Sequence, residues 1–169
     1  MSNQLLRLIP VALATFIIYI VFTGSLTPYD IVTGIAVASL TAALFSHLLI
    51  ENVSKSLNPI RLLWLIAYTL YYFTIIEMKA HLDVAKRVLH PRMPLNPGIV
   101  RVPYRVESEY AIVTVANSIT NTPGTVVVDL DEEQKIFYVH WIDVKGLDPE
   151  TTYKNISMTF EKYAKKIFD

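Results

Sequence analysis

Fifteen consecutive residues, Leu62 to Ile76 (LLWLIAYTLYYFTII), carry no charge, and the stretch after them brings Lys79, Lys86, Arg87 and Arg92. An uncharged run rich in Leu, Ile, Tyr and Trp suits lipid, and Lys and Arg just beyond a span are retained on the cytoplasmic side. The run therefore divides the chain between two solvents. The residues before Arg61 read as membrane, and those after Pro94 read as a water-soluble domain. Only 18% of the residues are charged and 53% are hydrophobic, where an ordinary soluble domain is about 25% charged. The formal net charge is zero, which argues against nucleic acid as a partner. Of the charged residues, only Arg7, Asp30, Glu51, Lys55 and Arg61 precede Glu77. The absence of Cys removes a disulfide frame, a Cys-ligated cluster and a thiol nucleophile.

Two further apolar runs come first. Leu8 to Phe22 ends at Thr23-Gly24-Ser25. One Arg, an apolar core and small residues resemble a cleaved signal peptide, but the later runs make a retained span the more economical reading. Thr27-Pro28-Tyr29-Asp30 reads as a tight turn with Asp30 as the N-cap of the next helix. Ile31 to Ile50 is uncharged over twenty residues, about the length that crosses ~30 Å of hydrocarbon. Within it Gly34, Ala38, Ala42 and Ser46 recur every four positions. That spacing places them on one helix face, where small side chains let two helix backbones approach closely in lipid. The third run is short: fifteen residues at a 1.5 Å rise cover about 22 Å, so Arg61 and Lys79 must snorkel. Its Tyr68, Tyr71 and Tyr72 suit an aromatic belt or a neighbouring helix.

None of the runs holds a charge near its middle, where a proton or sodium pathway would need one. Glu77 reads as a snorkelling carboxylate at the membrane edge, and His47 as interfacial. Met78 to Leu89 sets Met78, Leu82, Ala85, Val88 and Leu89 against Lys79, Asp83, Lys86 and Arg87, an amphipathic helix for the membrane surface or a partner. His81 and His90 have no third ligand near them, so no metal site is expected. His90 to Gly98 is a proline-stiffened linker.

The remaining residues read as a small α+β domain. Val100, Val102, Tyr104 and Val106 alternate with polar residues and Pro103, as in a half-buried edge strand. Glu107 to Thr120 reads as a helix, with Ile112, Val115, Ala116 and Ile119 on one face. Thr122-Pro123-Gly124-Thr125 fits a type II turn. Val126–Leu130 and Lys135–Ile142 are strands joined at Asp131–Gln134. Asp148-Pro149-Glu150 starts a last helix, with Asp as N-cap and Pro at its first position. Tyr153, Ile156, Phe160, Tyr163 or Ala164, and Ile167 make its apolar stripe, expected to pack on the sheet. About seventy residues make a marginal core, so outside support is expected. Ser118, Thr125, Asp129 and His140 match no known hydrolytic spacing, and His140 reads as a satisfied core or interface histidine. No Gly-rich phosphate loop is present.

Several stretches occur together and in order: Asp83–Val88, Pro97–Val100, Asn117-Ser118-Ile119-Thr120, Thr122-Pro123-Gly124-Thr125, Val128-Asp129 and Tyr138-Val139-His140-Trp141. In this the chain resembles the E subunit of Mrp-type multisubunit cation/proton antiporters, the MrpE or MnhE family. The likeness covers Pro59 to Phe168, while the first two spans match in hydropathy and in Leu26-Thr27-Pro28. Asn121 stands where the family often has Leu. Asn117, Thr122, Pro123, Gly124, Thr125, Asp129, His140 and Trp141 are the signature positions, read as structural. The resemblance implies other membrane subunits as partners, in a stand-alone antiporter or in the antiporter-like arm of a hydrogenase or sulfane reductase complex.

The expected fold is thus a membrane all-α part with three transmembrane helices (1–77, with spans at 8–24, 31–50 and 60–77). An amphipathic helix and linker come next (78–97), then a cytoplasmic two-layer α+β domain, β-α-β-β-α (98–169). Three crossings place the N-terminus outside. The expected function is that of an accessory, non-catalytic subunit in a lipid bilayer, with no cofactor and no metal. The alternative is a membrane-anchored enzyme or ligand-binding module acting through 98–169.

Overall fold

The computed structural model describes residues 2–169, with side chains described from Leu5 onward. By contacts the chain forms two compact units, one ending at Pro59 and the other running Ile60–Asp169.

The first unit is a helical hairpin followed by one short turn of helix. Helices α1 (Ser2–Thr23) and α2 (Pro28–Leu49) are joined through Gly24, whose φ of +63° ends α1. Thr27, not Asp30, is the N-cap of α2: its hydroxyl accepts from the Asp30 backbone N–H. Asp30 sits in the first turn, and its carboxylate accepts from the hydroxyls of Ser25 and Thr27. With Pro28 at the first helical position, the helix begins earlier than Asp30 suggests. The buried residues of α2 are Gly34, Ala38, Ala42 and Ser46. A Cβ on Gly34 would come within 2.9 Å of Tyr19 and 3.0 Å of Phe16, so α1 lies directly on this face. Tyr19 and Thr33 share a hydroxyl hydrogen bond of 2.8 Å across the pair. Helix α3 (Val53–Ser56) is capped by Asn52, which accepts from the Lys55 backbone N–H.

The second unit starts with one long helix, α4 (Pro59–Leu89). The stretches that read as a span and a separate amphipathic helix are continuous, joined by a π-helical turn at Tyr72–Ile76. Helices α1, α2 and α4 are all long and apolar enough to cross a membrane. A linker then leads to the three-stranded antiparallel sheet, β1 (Gly98–Pro103), β2 (Thr125–Asp131) and β3 (Ile136–Trp141), in the order β1-β3-β2. Pro103 is the last residue of edge strand β1, where a missing N–H costs no ladder bond. A bulge at Val128 shifts the β2–β3 register between Val127 and Asp129. Between β1 and β2 comes α5 (Glu109–Asn121), capped by Ser108. The last helix, α6 (residues 149–167), is capped by Asp148 and contains its own π turn, Tyr153–Ser157.

Helices α5 and α6 cover one face of the sheet. Val100, Val102, Phe137, Val139 and Trp141 are buried beneath Val115, Ile119, Ile156, Phe160 and Ala164. Tyr68 and Tyr72 of α4 join the same core, so the extra support that so small a domain needs comes from its own chain. One acid is enclosed with the apolar residues. Glu161 is fully buried; its Oε2 accepts from the Arg105 backbone N–H at 3.1 Å, and its Oε1 has no partner. Burial pushes this carboxyl above its ordinary value, more than the Arg105 N–H lowers it.

Gly34→Leu forces a branched side chain into the rings of Phe16 and Tyr19 on α1. It is expected to lower recovery of the intact chain from the membrane, while Val37→Leu, on the exposed side of α2, leaves recovery unchanged. Equal recovery of both variants would remove the packing role. For Glu161 the sign is fixed by linkage. The raised folded value means that the native state holds the proton longer than the unfolded state, so stability falls as pH rises past the ordinary value of 4.5. Glu161→Gln is expected to flatten that fall, measured as the thermal midpoint of the detergent-solubilised full chain between about pH 4 and pH 7.

Candidate functional site

The second unit is built around the contact between α4 and the domain after it. Arg61 Nη1 donates to the Ile167 carbonyl at 2.8 Å, and Lys166 Nζ lies 3.6 Å over the Trp64 ring. Tyr163 meets three aromatic rings of α4, with centroids 6.3 Å from Trp64, 5.2 Å from Tyr68 and 5.6 Å from Tyr71. The Ser118 hydroxyl donates to the Thr114 carbonyl at 2.7 Å and so accepts from the Tyr68 hydroxyl. Tyr72 donates to the Ser118 carbonyl at 3.3 Å and lies 3.3 Å from the Thr122 hydroxyl.

The signature turn lies further along α4. Thr125 N–H donates to the Thr122 carbonyl at 3.3 Å, closing the reversal, and Gly124 has a φ of +101°. A Cβ on Gly124 would stand 3.0 Å from Ile142 and 3.9 Å from Val84. Thr122 to Thr125, together with Trp141, line a cleft of about 520 Å³ whose other wall includes Lys79, Asp83 and Arg87. Arg87 sits between two carboxylates: Nε is 2.8 Å from Asp83 and Nη2 is 2.8 Å from Asp143. Its Nη1 donates to the Pro94 carbonyl at 3.0 Å. Asn96 adds bonds to both sides of Asp143: its N–H donates to the Ile142 carbonyl, and its carbonyl accepts from the Val144 N–H. The charges at this end of the cleft therefore hold the linker and the exit of β3 against α4.

The signature residues do not form one chemical centre. Thr122, Pro123, Gly124, Thr125 and Trp141 lie together at the cleft. Asn117 borders a separate recess of about 210 Å³ beside Tyr68 and Tyr72. Asp129 lies at the β2 bulge, where its carboxylate accepts from the Leu130 N–H. His140 is exposed rather than enclosed in the core. It lies across from Ile99 on one side and Val126 on the other, on the sheet face that no helix of the unit covers. Ser118 is bound to Tyr68, and the Thr125 hydroxyl donates to the Ile119 carbonyl at 2.7 Å. Ser118, Thr125, Asp129 and His140 are thus not assembled for nucleophilic chemistry. Among the described residues, no three His, Cys, Asp or Glu side chains cluster as metal ligands.

Some of these contacts leave a trace in the sequence. Tyr68 and Tyr72 are four residues apart, as one helix face requires, but an aromatic belt in lipid would have the same spacing. Asp83 and Arg87 are also four apart, the separation of an ion pair along a helix. Asp143 and Asn96 carry no local signal, because their partners are far away in the chain.

A family model described as "Na+/H+ ion antiporter subunit" matches residues 12–167. The chain belongs to this MnhE family. The E subunit of a Na(+)/H(+) antiporter from Alkalihalophilus pseudofirmus is 30% identical over 146 residues, covering 86% of this chain and 88% of the relative. The E1 subunit of a Staphylococcus haemolyticus Na(+)/H(+) antiporter is 28% identical, covering 89% and 90%. A chain from the structure of the membrane-bound sulfane sulfur reductase, an archaeal respiratory membrane complex, superposes with a TM-score of 0.83. Its identity is 36%, over 96% of this chain and 99% of that one.

The tyrosine contact can be tested in this MnhE chain. Tyr68→Phe removes one buried hydrogen bond while Ser118 keeps its bond to Thr114, a loss of about 1 kcal/mol. Ser118→Ala leaves the Tyr68 hydroxyl buried without its acceptor and is expected to cost at least as much. The readout is the thermal midpoint of the solubilised chain; no shift in either variant would remove the contact from the account.

Proposed function

We propose that this chain is an accessory, non-catalytic subunit of a cation/proton antiporter-type membrane complex, where it supports assembly of the ion-translocating subunits. Its partners are other membrane subunits. The observation that carries this reading is that Ser118, Thr122, Thr125, Asp129 and Arg87 are all engaged in bonds that close the fold. The names of the relatives agree with it. The 36% identity with the sulfane reductase chain, beside 30% and 28% with the two antiporter relatives, supports a respiratory assembly with an antiporter-like arm as the parent complex.

On this reading the domain is a two-layer β-α-β-β-α unit on the cytoplasmic side, the side on which Lys79, Lys86, Arg87 and Arg92 would be retained. The exposed row Ile99, His140 and Val126 is where a neighbouring subunit would pack. An enzyme or ligand-binding module would instead use the cleft, where Arg87 is already paired with two carboxylates.

Two substitutions separate the readings. Gly124→Val imposes a side chain on a positive φ, at a cost on the order of 1 kcal/mol or more, and meets Ile142 as well. It is expected to reduce assembly, with transport lost in proportion. His140→Gln is expected to keep most transport per assembled complex. Ion transport in vesicles, normalised to complex recovered by affinity pull-down, makes the comparison. Loss of turnover in His140→Gln with assembly intact would overturn the accessory reading.

A further inference from the structure

Helix α4 meets the domain along nearly its whole length. Its contacts run from Arg61, bonded to Ile167, to Arg87, bonded to Asp143, about 39 Å at 1.5 Å per residue. The elements it touches are not made for lipid. Lys162, Lys165 and Lys166 are exposed on α6 beside the first half of α4, and the open sheet edges leave backbone groups that hydrocarbon cannot satisfy. If Leu62 to Ile76 crossed the bilayer, this surface would be carried in with it, and charges near the centre of the hydrocarbon are strongly disfavoured.

The opposite face of α4 has a different character. Leu62, Leu63, Ile66, Leu70 and Phe73 are exposed along it. Thr69 and Thr74, also exposed, turn their hydroxyls back to the carbonyls of Leu65 and Leu70, so this face presents no unsatisfied side-chain hydroxyl. In the second half, exposed Lys86 accompanies Met78 and Leu82. Only residues 50–58 separate this helix from the end of α2, which keeps it near the membrane.

We infer that α4 does not cross the bilayer: it lies on the cytoplasmic leaflet with Leu62, Ile66, Leu70 and Phe73 on lipid, and the chain spans the membrane twice. The charges agree with two crossings. Arg7 precedes or opens the first span, and Lys55 and Arg61 come after the second, whereas residues 24–27 between them hold no Lys or Arg. With two crossings every one of these cations is cytoplasmic and the uncharged loop is outside. With three crossings Arg7, Lys55 and Arg61 would all be outside, against the retention of positive charge. The start of the chain and the soluble domain then share a side. Lys86 is placed to meet anionic headgroups.

The chain has no Cys, so single cysteines report unambiguously in the full chain within its native membrane complex. With an impermeant maleimide, Leu26→Cys is expected to react in sealed cells, and Ser2→Cys and Lys145→Cys only after permeabilisation. Reaction of Ser2→Cys, but not Lys145→Cys, from outside would restore a third crossing; reaction of Lys145→Cys from outside would reverse the orientation. A nitroxide at Leu70→Cys tests the occupant. Lipid contact predicts strong relaxation by oxygen at a shallow depth. A mid-bilayer depth, shielding from both oxygen and a nickel chelate by another subunit, or free access of the chelate from water would each overturn the lipid assignment.

Discussion

The hydroxyl of Tyr68, buried against Ser118, stands at the centre of the second unit. Around it, Tyr72, Trp64 and Tyr71 meet Tyr163, Phe160 and the end of α5. A sheet of three short strands with two helices has little apolar surface to enclose. The aromatic face of α4 enlarges that core, and the tyrosine hydroxyls enter it with partners of their own, Tyr68 on Ser118 and Tyr72 on the Ser118 carbonyl. The helix and the domain thereby fold as one body, which is why the compact unit begins at Ile60.

The sequence is informative where structure depends on neighbours in the chain. Small residues at every fourth position in α2, the turn at Pro123-Gly124 and the Asp148 cap all act through local geometry, and each is legible from spacing. The role of α4 is harder to read. Leu62 to Ile76 is uncharged whether its tyrosines face lipid or a protein core, because hydropathy counts apolar residues without saying what they touch. The burial of Glu161 is hidden for a related reason: an acid in the middle of an amphipathic stripe reads as solvent-facing until its neighbours are known.

The candidate site shows the same division. The order of the signature stretches points to the family, but not to which members meet. Pro123, Gly124 and Trp141 come together because a turn and a strand end bring them to α4. His140 follows Val139 and precedes Trp141, yet strand alternation turns it to the other side of the sheet.

The π turn at Tyr72–Ile76 has a consequence for the whole of α4. Before it, the residues facing the domain are Arg61, Trp64, Tyr68 and Tyr72; after it they are Ile76, Ala80, Val84 and Arg87. An unbroken α-helix continued from Tyr68 and Tyr72 would present positions 75, 79 and 86 instead, so the turn takes up one extra residue and slips the phase by about 100°. The abrupt change of pattern near Glu77 thus coincides with a phase slip within one helix. A deletion of one residue within the turn would leave an ordinary helix that still turns Ile76, Ala80 and Arg87, each moved up one position, toward the domain, whereas one further residue inserted there would rotate every later side chain away from its partner, Arg87 from Asp143 among them.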